Sequence, residues 1–246
     1  MQGKKLAALL AMLVLGACSS PPPPRVEAPR STLRLMPPQG IDIPTDARDY
    51  TGEIKGNKLD FVARYYRDPA SRWPTLSAAE AAHLSSSGVK IVAVWESRSH
   101  KPEYFNYATG YSDAVTAYRQ AKSIGQPSGS AIYFAVDYNA PQSDIMGTID
   151  QYFRGITAGL ASVGGSKEYR VGVYGSGAVC EYLKRSRLAQ FTWLSNSTAW
   201  SGYDRFTEWD IRQSKASPAL SFNHDWNEAT DGDYGGFQVR NLYSSL

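Results

Sequence analysis

The chain contains the uninterrupted apolar run Ile91-Val92-Ala93-Val94-Trp95, in which no polar residue interrupts the pattern at alternate positions. Such a run indicates a strand that is covered on both faces, as strands are when helices flank a parallel sheet. Several other short segments have a similar composition, and together they suggest eight strands. The predicted strands are Gly40–Thr45, Phe61–Tyr66, Lys90–Glu96, Ala131–Asn139, Arg170–Gly175, Phe191–Asn196, Thr207–Gln213 and Ser221–Trp226.

Helical patterns with start and stop signals lie between these strands. Ser77-Ala78-Ala79-Glu80 has the form of a capping box, and its helix is expected to end at Gly88. A second helix is expected to begin at Ser112, and a third is expected to run from Ile145 to Val163. The last two strands have only short, irregular connections.

The alternation of strand and helix allows a doubly wound sheet or a (β/α)₈ barrel. A dinucleotide-binding sheet would need a glycine-rich turn after the first strand, whereas Gly40-Ile41-Asp42 runs into Pro44. Eight strands in about 200 residues fit a small barrel. We therefore predict an α/β fold of the TIM-barrel type over residues 39–246, with irregular last helices.

The N-terminus has the features of a secretion signal. Residues 1–17 place Lys4 and Lys5 before a short apolar run that is too brief to span a bilayer as a stable helix. Leu15-Gly16-Ala17-Cys18 resembles the bacterial lipobox, whose cysteine is acylated. We predict a lipoprotein signal over 1–17 with lipidation at Cys18. An ordinary signal peptide with an incidental cysteine is the alternative.

Residues 18–38 are rich in proline, and four consecutive prolines favour an extended polyproline II spacer. The predicted protein is therefore secreted across the inner membrane and held in the cell envelope by its lipid. Ser19 after the cysteine favours the outer membrane, under the sorting rule of Gram-negative bacteria.

Charge and cysteine content exclude several classes of protein. The formal net charge is +3, two charges of which belong to the predicted leader, so we expect no nucleic-acid partner. Two cysteines supply neither a disulfide framework nor a thiolate zinc site, and Cys180 lies in an apolar helical pattern that predicts a buried, inert thiol. We predict a monomer with no metal and no cofactor.

Polar residues collect where the predicted strands end, which is where barrels of this type carry their active sites. The acids at these ends are Asp42, Glu96, Asp137 and Asp225, and the aromatic and amide residues are Tyr65, Asn139, Tyr174, Trp193, Asn196 and Gln213. Aromatic rings stack on the C–H faces of sugars, and amides and carboxylates bind sugar hydroxyls. The sequence therefore predicts a cleft for a glycan.

Three of the acids are the predicted catalytic residues. Glycoside hydrolysis needs one protonated acid and one ionised carboxylate. Glu96 follows a wholly apolar strand, an environment that raises the pKa of a carboxyl group, so it is the predicted general acid. Asp42 and Asp137 are the predicted stabilising or nucleophilic carboxylates.

The chain resembles a glycoside-hydrolase-like domain family of secreted bacterial proteins, which is similar to the family 25 lysozymes. The motifs that carry the resemblance are Gly40-Ile41-Asp42, Phe61-Val62-Ala63-Arg64-Tyr65-Tyr66, Ile132-Tyr133-Phe134-Ala135-Val136-Asp137-Tyr138, Gly172-Val173-Tyr174-Gly175, Trp193-Leu194-Ser195, Ile211-Arg212-Gln213 and Asp225-Trp226-Asn227. The resemblance implies a barrel with a sugar cleft, and peptidoglycan or another envelope glycan as its target.

The resemblance also reveals a departure. Family 25 lysozymes carry Asp-x-Glu at the end of strand four, with the glutamate as general acid, whereas this chain has Asp137-Tyr138-Asn139. An amide cannot deliver the proton. Either Glu96 has taken the acid role, or the domain binds glycan without cleaving it.

A serine hydrolase is a third hypothesis, since Ser176, Asp210 and His224 follow the order of the α/β-hydrolases. Tyr174 and Ala178 occupy the positions of the two glycines in the nucleophile elbow, which disfavours this hypothesis.

Overall fold

The structure is a computed structural model that describes residues 36–214 and 220–240. The predicted leader 1–17, Cys18 and the linker as far as residue 35 lie outside the described residues. Within the described part, no helix combines the length and the apolar character that a membrane span requires.

Eight strands form a closed barrel in chain order, with helices between most of them, which confirms the predicted architecture. The strands are β1 (Gln39–Asp42), β2 (Phe61–Tyr66), β3 (Lys90–Trp95), β4 (Ala131–Ala135), β5 (Arg170–Gly175), β6 (Phe191–Leu194), β7 (Ile211–Ser214) and β8 (Asp225–Ala229). The helices are α1 (Thr51–Gly56), α2 (Ala78–Ser86), α3 (Tyr107–Ile124), α4 (Gln142–Asp144), α5 (Asp150–Ser162) and α6 (Gly177–Arg185). A π-helical turn, Ile145–Ile149, joins α4 to α5.

The last strand runs in the opposite direction to the others. β1 to β7 pair in parallel, whereas β8 is antiparallel to both β7 and β1. Only residues 215–224 separate β7 from β8, and a parallel connection needs about a dozen residues or more. Such a short connection returns the chain in the antiparallel direction. β8 begins at Asp225, so the prediction of a strand over Ser221–Trp226 is wrong. The antiparallel register pairs Asp225 with Asp42 at the same end of the barrel.

Other predicted boundaries are also wrong: β1 ends at Asp42 and not at Thr45, and β7 begins at Ile211 and not at Thr207. β4 ends at Ala135, because the chain then turns and the N–H of Asp137 donates to the carbonyl of Ser99 at 2.9 Å. α3 begins at Tyr107 and not at Ser112, since the side chain of Asn106 caps the helix by accepting from the N–H of Thr109.

Alternate residues of the strands face the barrel interior. Phe61, Ala63, Val92, Val94 and Tyr133 belong to an apolar cluster inside the barrel, while their strand neighbours join a second cluster that includes the buried faces of the helices. A Cβ on Gly172 would lie 2.5 Å from the Tyr133 ring, so a glycine is needed there to make room for the ring. The interior is thus filled below the end where β1 to β7 finish.

The predicted capping box forms only in part. The hydroxyl of Ser77 accepts from the N–H of Glu80, as expected for a cap. The carboxylate of Glu80 does not return to the cap but binds Arg64 on β2 through two hydrogen bonds, and it also accepts from the N–H of Ala47. This fully buried ion pair fixes α2 to β2 on the outer side of the barrel.

Candidate functional site

A cavity of about 260 Å³ opens at the end of the barrel where β1 to β7 finish. Nine of the ten predicted site residues line it, together with Val94 and Ala135. These nine are Asp42, Tyr65, Glu96, Asp137, Tyr174, Trp193, Asn196, Gln213 and Asp225. Period-two alternation explains the grouping, because the inward-facing positions of each strand become polar just above the apolar cluster.

Asn139 is the predicted site residue that the structure places elsewhere. Its side-chain oxygen accepts a hydrogen bond of 2.9 Å from the N–H of Ser201, and the residue does not line the cavity. Because β4 ends at Ala135, Asn139 no longer shares the face of Asp137 as the predicted longer strand would require.

Asp42 lies at the centre of a hydrogen-bond network. Its carboxylate accepts from the hydroxyl of Tyr65 at 2.7 Å, from the amide of Asn227 at 2.8 Å and from the amide of Gln213 at 3.2 Å. Burial raises the pKa of Asp42 to about 6, with a further contribution from the charge of Asp225, while the three donors oppose the shift. The group is therefore largely ionised at neutral pH and held in one orientation.

Glu96 follows β3 directly and lines the same cavity. Burial raises the pKa of its carboxyl to about 7; the positive charge of Arg67 opposes this rise, and the negative charges of Asp137 and Asp42 add to it. A carboxyl group with this pKa is substantially protonated near neutral pH. Glu96 thus differs from Asp42 in its surroundings, because three hydrogen-bond donors favour the charged form of Asp42 and only Arg67 favours that of Glu96.

Asp137 is the third acid of the cleft. Burial raises the pKa of its carboxyl, the charge of His100 opposes that rise, and the charge of Asp225 adds to it. Among the described residues no hydrogen bond reaches the Asp137 carboxylate, so it is free to meet a ligand.

The aromatic residues differ in what they offer to a ligand. Trp193 is only 2% exposed and forms part of the floor, where its indole N–H donates to Asn227 at 2.8 Å. Tyr174 is partly exposed, stands edge-on to Trp193 with ring centroids 5.3 Å apart, and donates to Gln213 at 3.0 Å. Tyr65 and Tyr174 are therefore the aromatic walls of the cleft.

Asn227 is a residue of the site that the sequence analysis did not predict. This fully buried amide joins Asp42 to Trp193, because its nitrogen donates to the former and its oxygen accepts from the latter. The available signal was the position of Asn227 two residues after Asp225, which places it on the inner face of the strand.

The cleft continues outward past Glu96. A space of about 340 Å³ is lined by Asp42, Tyr65, Arg67, Trp73 and Glu96 among others, and leads to a further groove near His100. Arg67 and Trp73 lie in the loop after β2. A loop has no sequence periodicity from which the direction of a side chain could be predicted.

The serine-hydrolase hypothesis is not supported by the contacts of its three residues. The hydroxyl of Ser176 caps α6 by accepting from Val179, and the residue is 1% exposed. The carboxylate of Asp210 binds Thr192, and His224 contacts the carbonyl of Phe222. Each candidate residue therefore has a separate structural role.

Cys180 is buried, as the sequence predicts, and burial raises the pKa of its thiol to about 12. Within residues 36–214 and 220–240, no group of three or more His, Cys, Asp or Glu side chains is arranged to hold a metal ion.

The model of the Rv2525c-like, glycoside hydrolase-like domain family matches residues 52–240, which include β2 to β8 but not Asp42 on β1. The Bacillus subtilis protein FadG is 33% identical over 120 residues, which are 48% of this chain and 21% of FadG. The chain spans about a fifth of the length of the curated relatives it matches.

Solved structures share the fold. The Tat-secreted protein Rv2525c of Mycobacterium tuberculosis, in complex with HEPES, has a TM-score of 0.67 at 19% identity, covering 81% of this chain and 98% of that one. A family 25 glycosyl hydrolase from Bacillus anthracis has a TM-score of 0.51 at 12% identity, covering 80% and 93%. The autolysin LytC of Streptococcus pneumoniae, in complex with a synthetic peptidoglycan ligand, has a TM-score of 0.50 at 17% identity, covering 77% and 46%.

These likenesses show the barrel fold, and the family match extends over most of the chain. The chain belongs to the Rv2525c-like family of glycoside hydrolase-like domains.

Proposed function

We propose that this protein is a glycoside hydrolase of the bacterial cell envelope, which cleaves a peptidoglycan-type glycan at the mouth of its barrel. The observation that carries the proposal is a pair of buried acids that line one cleft in different surroundings, since Asp42 accepts three hydrogen bonds and Glu96 follows an apolar strand. Glu96, with a pKa of about 7, and Asp42, with a pKa of about 6, line the same cavity. Glycoside hydrolysis requires such a pair.

In the proposed mechanism, protonated Glu96 donates its proton to the glycosidic oxygen as the bond to the leaving sugar breaks. Asp42, fixed by its three hydrogen-bond donors, is the ionised group that stabilises the positive charge developing on the sugar ring. Asp137, whose carboxylate is not engaged by another described residue, either takes the proton of the attacking water or attacks the sugar itself. In the second case water then cleaves the glycosyl ester, and Glu96 takes its proton back from that water.

Comparison with related folds supports the choice of glycan. LytC shares this barrel and binds a synthetic peptidoglycan ligand, and a family 25 glycosyl hydrolase shares it as well. The partly exposed rings of Tyr65 and Tyr174 provide apolar surfaces for sugar rings in the proposed site.

Digestion of purified peptidoglycan, followed by measurement of released reducing ends, tests the proposal. We expect release by the wild-type protein and a loss of about 10²- to 10⁴-fold in Glu96→Gln, because the amide keeps the shape of the side chain but cannot donate the proton. Glu208→Gln is the matched control, since Glu208 is exposed and lies outside the cleft. Equal release by the wild type and Glu96→Gln would contradict the mechanism.

Glycan binding without cleavage is the second candidate function. The position of Asn139 favours it, because the residue that replaces the family 25 acid is engaged with Ser201 outside the cleft. This candidate predicts retention on insoluble peptidoglycan with no release of reducing ends, and a loss of retention in Tyr174→Ala.

We further propose that the protein is secreted and anchored by a lipid at Cys18. The lipobox-like Leu15-Gly16-Ala17-Cys18 supports the anchor, and the Tat-secreted relative Rv2525c supports export. Metabolic labelling with a fatty-acid analogue is expected to mark the full-length chain but not its Cys18→Ser variant. Label in both, or in neither, would contradict the anchor.

A further inference from the structure

The groove beyond Glu96 has a different charge from the acidic mouth. It has a volume of about 550 Å³, and its lining includes Arg67, Trp73, Glu96, Arg98 and His100. We call it the arginine groove. Asp68 also lines it, but the Asp68 carboxylate already accepts a hydrogen bond from the N–H of Ala70. The two guanidinium groups offset the charges of Asp68 and Glu96, so the groove is less acidic than the mouth, whose lining holds no arginine or lysine among the described residues.

Arg67 is a buried cation with unused hydrogen-bonding capacity. The residue is 8% exposed, and its Nε has no hydrogen-bond partner in the described part of the chain. Its guanidinium lies over the ring of Tyr65 at 4.3 Å, and Gln120 holds its backbone through two hydrogen bonds. A buried guanidinium with an unsatisfied donor is energetically costly unless a ligand completes it.

Trp73 supplies a surface that matches a sugar ring. It is 59% exposed, and it lines both the arginine groove and the space that leads from the cavity. Glu96 lines all three spaces, so the cleft and the arginine groove are continuous. A glycan chain that passes Glu96 would therefore reach the indole and the two arginines.

We propose that the arginine groove is a subsite for a sugar residue that bears a carboxylate, with Trp73 stacked on the ring and Arg67 and Arg98 bound to the carboxylate. This inference rests on the proposed function and names the substrate class of the same cleft as glycan strands without stem peptides, because a stem peptide is attached through that carboxyl group. A guanidinium binds a carboxylate through two parallel hydrogen bonds. It therefore recognises the planar shape of the carboxylate as well as its charge. Asp42, Asp137 and Asp225 in the mouth would repel the same group, so the charge pattern also sets the direction in which the glycan lies.

Binding of three probes by the full-length protein tests this subsite. The probes are peptide-free glycan strands prepared from peptidoglycan, which carry a carboxylate on alternate sugars, the same strands with those carboxylates reduced to alcohols, and neutral chitopentaose. We expect the wild type to bind the carboxylate strands about tenfold more tightly than the reduced strands, in line with one charge-assisted contact.

The variants separate the subsite from the rest of the cleft. Arg67→Gln and Arg98→Gln are each expected to remove the preference for carboxylate, measured within each variant as the ratio of its affinities for the carboxylate and the reduced strands. Binding of chitopentaose shows that the cleft of each variant is still intact. Arg98 is exposed, so its replacement keeps the test valid if Arg67→Gln unfolds. Arg119→Gln, an exposed arginine on α3 outside the groove, is the matched control and should keep the preference.

Each alternative outcome has a distinct meaning. Equal binding of the carboxylate and reduced strands, or a preference that persists in both arginine variants, overturns the subsite and leaves the proposed function standing. Failure of all probes to bind overturns the subsite, whereas the proposed function is judged by the release of reducing ends from intact peptidoglycan.

Discussion

Glu96 and Asp42 have their pKa values raised by the same cause but to different extents. Burial dominates both shifts, and the balance of neighbours then separates the values at about 7 and about 6. Asp42 is opposed by three hydrogen-bond donors, whereas Glu96 has only the charge of Arg67 to oppose its shift. The difference provides a protonated acid and an ionised carboxylate in the same range of pH.

The proposed hydrolase activity should therefore have a narrow, bell-shaped dependence on pH. We expect kcat/KM to fall below about pH 6, as Asp42 becomes protonated, and above about pH 7, as Glu96 loses its proton. Because Arg67 holds the pKa of Glu96 down, Arg67→Gln should move the alkaline limb upward on a neutral substrate. An unmoved alkaline limb in that variant would argue against Glu96 as the acid.

The raised pKa of Asp42 also predicts a cost in stability. The folded state binds this proton more tightly than the unfolded chain does, so stability falls as pH rises from about 4 to about 6. Asp42→Asn removes this titration. We expect the change that it causes in the free energy of unfolding to be about 1–3 kcal/mol more stabilising at pH 7 than at pH 4. Urea unfolding at the two pH values measures this difference, and the same effect at both would contradict it.

Among the elements, strands were easier to predict than loops. β2 and β5 match the predicted bounds, because short segments rich in aromatic and β-branched residues favour strands. The direction of β8 was missed, since direction depends on the length of a connection and not on composition. The arginine groove was missed for a related reason: Arg67, Trp73 and Arg98 lie in loops, where no periodicity reports which way a side chain faces.

The buried pair between β2 and α2 should be important for stability. Glu80→Gln leaves the guanidinium of Arg64 buried without its counter-charge, and we expect a loss of about 3 kcal/mol in the free energy of unfolding. The double variant Arg64→Met, Glu80→Leu should lose less, because it removes both buried charges. Chemical denaturation of the three proteins checks the order, and a double variant that is less stable than Glu80→Gln would refute it.

At the scale of the whole molecule, closure of the barrel assembles the site. Asp42, Glu96 and Asp137 come from β1 and from the segments that follow β3 and β4, and the reversed β8 adds Asp225 at the same mouth. The same end of the barrel carries the arginine groove, so the acids of the mouth and the arginines of the groove lie side by side along one cleft. The fold thus supports a glycan chain held in one direction.

The position of a bound glycan tests the central claim most directly. A crystal structure of Glu96→Gln with an oligosaccharide of alternating N-acetylglucosamine and N-acetylmuramic acid is the measurement. We predict a glycosidic oxygen within about 2.6–3.2 Å of the side chain at position 96, with the sugar ring on its far side facing Asp42 and Asp137. An oligosaccharide bound away from the mouth, or a mouth that stays empty at saturating ligand, would contradict the claim.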